Sequence, residues 1–147
     1  MIDRRWPAVP ERAKTVVTSR AEASLYLGKA EQFVEQARSA LEGSRNDAAM
    51  LNAIHAAIRA ADAVAVALSG RRSADPDHRR AVDLLEEVGG RSETIRASVK
   101  QLRTLLAKRN AVGYESLRAK AKEAVEAVSR AVRIVEWAGE TVRRAKL

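Results

Sequence analysis

Apolar residues recur along most of this chain at intervals of three and four, the spacing that gathers side chains on one face of an α-helix. The first stripe is Leu27, Ala30, Phe33 or Val34, Ala37 and Leu41. It predicts a helix from Ser19, which has capping-box spacing to Glu22, to about Leu41 ahead of Gly43. A second helix is expected from about Asp47 to Leu68, with Leu51, Ile54, Ile58, Ala61, Ala65 and Leu68 on one side and Gly70 as its stop. Within it IHAAIRAADAVAVAL is apolar around nearly the whole circumference, so this should be the most buried element and a place for subunit contact. Asp75 as cap and Pro76 as first position open a third helix, which packs through Ala81, Leu84, Leu85 and Val88 before Gly89 and Gly90. Ser92 caps a fourth, where Ile95, Val99, Leu102, Leu105 and Leu106 lead into Arg109. The last begins at about Ser116 and buries Leu117, Ala121, Ala124, Val128, Ala131 or Val132, and Val135. Short connections imply antiparallel neighbours, so the expectation is an all-α, up-and-down antiparallel bundle of four to five helices.

Residues 1–18 break this pattern. Trp6, Pro7 and Pro10 with Arg4, Arg5, Arg12 and Lys14 read as a basic N-terminal arm, either reaching a phosphate backbone or partner subunit or anchored to the domain by Trp6. Residues 19–147 form a single helical domain, at a length where one hydrophobic core is expected.

Composition sharpens the fold class and narrows the chemistry. Ala dominates the apolar fraction and aromatics make up only 3%, which suits close helix packing and not a β-core. Lys and Arg total 27 against 19 acids, a net charge of +8 that favours polyanions, although the arginines are spread over every helix. With no cysteine there is no disulfide, thiol nucleophile or thiolate metal site. The N-terminus lacks a signal-peptide core, and the apolar run AADAVAVALSG is short and carries Asp62, so a cytoplasmic chain without membrane association is expected. His55, one residue off the main stripe, reads as a structural imidazole, and without a clustered second histidine no metal is expected. His78 reads as a surface histidine in the first turn of the third helix, and Trp137 as a packing anchor or dimer contact. No phosphate-cradling glycine loop, paired-histidine metal motif or GxSxG elbow is present, so no cofactor is implied.

One stretch remains for chemistry. Leu105–Ser116, LLAKRNAVGYES, gathers Arg109, Asn110 and Tyr114 where one helix is expected to give way to the next around Gly113. Arg109 and Asn110 also suit a plain helix C-terminus, Arg for the negative dipole end and Asn for left-handed geometry.

The order YLGKAEQFVEQARSAL, NDAAMLNAIHAAIRAADAVAVAL, a loop with His78, LRTLLAKRNAVGYES and an alanine-rich last helix resembles the HEPN family over about residues 19–140. The resemblance implies a four- or five-helix bundle that dimerises, and in active members a metal-independent ribonuclease with an arginine, a polar residue and a histidine four to six residues beyond the arginine. It further implies toxin-type members whose antitoxin partner is a minimal nucleotidyltransferase. Carried over by position, Arg109 matches the arginine as phosphate stabiliser and Asn110 the polar residue as orienter, while Tyr114 stands where the histidine belongs. Ser116 stands where some toxins carry a further tyrosine. A phenol with an ordinary pKa near 10 is a poor base for a ribose 2′-hydroxyl, so the implied endoribonuclease activity is weak or lost. The alternative is a non-catalytic module that binds RNA or a nucleotidyltransferase partner, or a purely structural helical adaptor. Arg72 and His78 also satisfy the bare arginine-to-histidine spacing, but they straddle the RRSADPD loop and not the entrance to the last helix, so they are set aside.

Overall fold

The computed structural model describes residues 6–113 and 118–147, with the side chains of all of these except residues 109–113. Among them the fold is all-α, with five helices: α1 Ala23–Glu42, α2 Asn46–Ser69, α3 Arg79–Gly89, α4 Glu93–Gly113 and α5 Ala121–Arg144. A two-stranded antiparallel ribbon of β1, Thr15–Val17, and β2, Arg71–Ser73, was not anticipated. It forms because the chain leaving α2 turns at Gly70, whose φ of 68° is left-handed, and presents its carbonyl to the Thr18 amide at 2.7 Å. The ribbon pairs Thr15 with Ser73 and Val17 with Arg71, so part of the expected arm is tied to the domain.

Helix α2 is the axis of the bundle. It is buried on nearly all sides between Ala53 and Ala67, with Met50, Ile54 and Ile58 among the largest enclosed side chains. At 24 residues it is long and apolar enough to cross a bilayer, despite Asp62, and most of it is buried inside the bundle. Helix α1 runs antiparallel to α2, with the Phe33 ring stacked on His55 at one level and Arg20 Nε donating to the Ala67 carbonyl at the other. Helix α5 runs parallel to α2: Asp47 accepts the Ala119 amide at one end, and Val66 and Ala67 pack with Val142 and Ala145 at the other. Helices α3 and α4 form an antiparallel pair laid on α2, tied by Arg103 to Glu86 and Asp83. The α2–α3 connection carries the chain back along α2, so that α3 starts beside His55 and ends near Arg71.

Most expected stripes are buried as read, including Ile95, Val99, Leu102, Leu105 and Leu106 on α4. Leu68, at the ribbon-forming end of α2, and Ala121, the first residue of α5, are exposed instead, and Leu117 lies outside the described residues. Four boundaries move. Ser19 caps only a 3-10 turn, Arg20–Glu22, by accepting the Ala21 amide, and α1 begins after it. Helix α3 begins at Arg79, because Asp75 and Asp77 turn their carboxylates onto the Asp77 and Arg79 amides and hold the loop in side-chain-to-backbone turns. Helix α4 continues to Gly113, so the backbone of Arg109 and Asn110 is helical, and α5 starts at Ala121 and not near Ser116.

Candidate functional site

Arg109 and Asn110 stand on the last turn of α4; their side chains, and Tyr114 entirely, lie outside the described residues. The entrance to α5, farther along the chain, is defined. There the Ala119 amide donates to Asp47 Oδ1 at 2.6 Å, which fixes that entrance against the first turn of α2. Lys108 Nζ lies 3.9 Å from Glu123, whose carboxylate also accepts the Lys120 amide at 3.1 Å. A cavity of about 440 Å3 opens at this end, lined by Ser44, Arg45, Asn46, Asp47, Arg118 and Ala119. Two helix N-termini, those of α2 and α5, meet there with their unspent amides, and Arg45, Lys108, Arg118 and Lys120 add four cations to Asp47 and Glu123. The local field is positive and suits an anion.

A second constellation lies on the α1–α2 seam, and the sequence reading did not bring it together. The His55 and His78 rings meet edge to face at 6.1 Å between centroids, with Phe33 stacked on the other side of His55 at 5.4 Å. His78 was expected on the surface; it is half-buried, because the α2–α3 connection folds back over α2. Farther along the seam Asp62 is 3% exposed and paired with Arg59 at 3.0 Å. Burial pushes its carboxyl up to about 6, and the nearby charges of Arg59, Arg72 and Lys29 pull the other way without winning. The Tyr26 ring carries Lys29 on it at 5.5 Å and Arg72 at 5.8 Å. Arg72 gives one hydrogen bond to the Ser73 carbonyl, while its Nε is buried and has no partner among the described residues. The periodicity argument could not find this grouping, since it compares positions within a helix and these side chains come from four elements. The available signal was the polar exception on each apolar element, His55 and Asp62 on α2.

The arm makes a third polar cluster. Trp6 Nε1 donates to Asp83 at 3.0 Å, its ring lies 5.2 Å from the Arg103 guanidinium, and buried Arg80 bonds both Asp83, at 2.6 Å, and the Pro7 carbonyl. Each charged group there is matched by an opposite one, so the cluster reads as a clasp that holds the arm on α3. Among the described residues no group of three or more His, Asp or Glu could hold a metal ion.

Residues 23–142 match the family model described as HEPN domain. No curated protein sequence matches the chain.

Proposed function

This chain belongs to the HEPN family, and from that premise we propose that it acts on RNA at the α4–α5 end of the bundle as a metal-independent endoribonuclease of low turnover. The family includes nucleases, and the observation that carries the reading here is the cavity of about 440 Å3 between the start of α2 and the entrance to α5, with Arg45 and Arg118 on its wall. A phosphodiester entering it meets two helix N-termini and a surplus of cations, the electrostatic condition for steadying negative charge on a transferring phosphorus. In this reading Arg109 supplies the guanidinium to the phosphoryl oxygens and Asn110 orients the ribose. Tyr114, in place of a histidine, donates a hydrogen bond better than it accepts the 2′-hydroxyl proton, and turnover is low for that reason. The same reading takes the protein as a cytoplasmic homodimer with two such cavities, and a nucleotidyltransferase as its antitoxin partner.

End-labelled RNA incubated with the protein in EDTA tests the proposal. The expected result is slow cleavage that Arg109→Ala abolishes and Tyr114→His accelerates. Salt-sensitive RNA retention with no cleavage in any variant would support a non-catalytic binder instead, and indifference to RNA alongside stable capture of a nucleotidyltransferase would leave only an adaptor.

A further inference from the structure

The α1–α2 seam holds more positive charge than its one buried carboxylate can match. Arg59, Lys29 and Arg72 all act on Asp62, and only Arg59 is bonded to it. Among the described residues neither Lys29 nor Arg72 has a carboxylate within ion-pair distance; both lie over the Tyr26 ring instead. At the far end the Asp77 carboxylate is taken up by Arg79, and Asp75 is turned onto the Asp77 amide of its own loop. Both cations sit near one ring, and the buried Nε of Arg72 bonds nothing among the described residues, a donor left for an acceptor to meet.

We propose that this seam is a binding site for a phosphate monoester group, gripped by Arg72 and Lys29 over Tyr26 and flanked by the His55–His78 pair. The charge selects the monoester. Its two negative charges equal the two cations that Asp62 leaves unmatched, whereas a phosphodiester carries one. The guanidinium of Arg72 offers a planar set of donors that fits two phosphate oxygens at once, and a small turn of the side chain would bring its buried Nε into that set. Lys29 sits on an exposed face of α1 and reaches the same ring, so the group enters from solvent along α1. Asp62 sets the strength of the grip, because its carboxylate competes with the ligand for the same cations. The site is built from α1, α2, β2 and the start of α3, so it is tested separately from catalysis at the end of α4.

Titration of the full chain with inorganic phosphate at pH 7.5 and fixed ionic strength, followed by NMR through the His55 and His78 ring signals and the Arg72 Nε–H, is the test. Saturable shifts of these signals are expected. Arg72→Gln, which keeps the side-chain bulk, should weaken binding about tenfold or more, the loss typical of a hydrogen bond to a charged group. Lys29→Ala should weaken it comparably, and Asp62→Asn should tighten it severalfold. Melting curves of each variant show that the fold survives. An RNA oligonucleotide with a 5′-phosphate should compete with inorganic phosphate, and the same oligonucleotide with a 5′-hydroxyl should not; saturable phosphate binding that neither oligonucleotide displaces would mark a small phosphomonoester as the ligand. Unchanged binding in folded Arg72→Gln, equal competition by the two oligonucleotides, or no shift at the seam would overturn the proposal. RNA cleavage in EDTA is scored apart from this, so either reading can fail without the other.

Discussion

At the scale of single residues, Asp62 is the clearest case of a charge held against its own preference. Its carboxyl is buried on the axis helix and raised from 3.8 to about 6, so burial outweighs the Arg59 pair at 3.0 Å. The sign for stability follows directly. Between pH 4 and 6 the folded chain holds a proton here that the unfolded chain has released, so stability falls as pH rises through that window and levels off above it. A shift of that size corresponds to roughly 2–3 kcal/mol. Asp62→Asn removes the ionisation, so its melting temperature should gain on the parent as pH rises from 4 to 6 and hold a constant lead from pH 7. A lead that stays flat from pH 4 to 8 would show that Asp62 does not titrate in this range. From the sequence, Asp62 was visible only as the charge that interrupts AADAVAVALSG. Its consequence depends first on burial by the elements packed around α2, which periodicity within one helix cannot weigh, and only last on Arg72 and Lys29.

At the scale of elements, the helices were legible because their stripes are long. Ile95, Val99, Leu102, Leu105 and Leu106 specify the buried face of α4 without any tertiary information, and all five are buried. The ends were less so, because local polar bonds decide them: Asp75 and Asp77 close turns where a helix start was expected, and nothing in RNAVG stops α4 before Gly113. The ribbon was invisible, since three residues are too few to alternate, and its partner strand comes from the proline-rich arm. Two glycines test these elements in opposite directions. Gly28 lies inside α1 with nothing within 4 Å of an added Cβ, so Gly28→Ala should raise stability by about 1 kcal/mol. Gly70 holds the left-handed turn from α2 into β2, where a Cβ would lie 3.0 Å from the Thr18 carbonyl, so Gly70→Ala should cost roughly 1–2 kcal/mol. Thermal melts read both, at about 2–4 °C per kcal/mol for a chain of this size. The clasp on α3 gives a further test. Trp6→Ala removes the bond to Asp83 and the ring under Arg103, so trypsin should cut after Arg12 and Lys14 faster while the bundle's melting temperature changes little. Cleavage at the parent rate would mean that the ribbon alone holds the arm.

For the whole molecule, the question is where a net charge of +8 is displayed. On and just before α3, Asp77, Asp83, Glu86 and Glu87 are taken up by Arg79, Arg80, Arg103 and Arg71. That face is close to neutral. At the opposite end of α2, Arg45, Arg118 and Lys120 are exposed, and among the described residues none of them has an ion-pair partner. The even spread of arginine along the sequence therefore hides an uneven surface, because pairing across α3 and α4 cancels charge that composition counts as free. If single-stranded RNA lies across the α4–α5 end, each of these cations releases about 0.7 of a counterion on binding. Arg45→Ala and Arg118→Ala should each flatten the plot of log affinity against log salt by roughly 0.7, and the double variant by about twice that. Arg71→Ala, on the paired face, should leave the slope as it is. A double variant with the parent's slope would move the RNA off this end of the bundle, and with it the reading of Arg109 as a phosphate ligand.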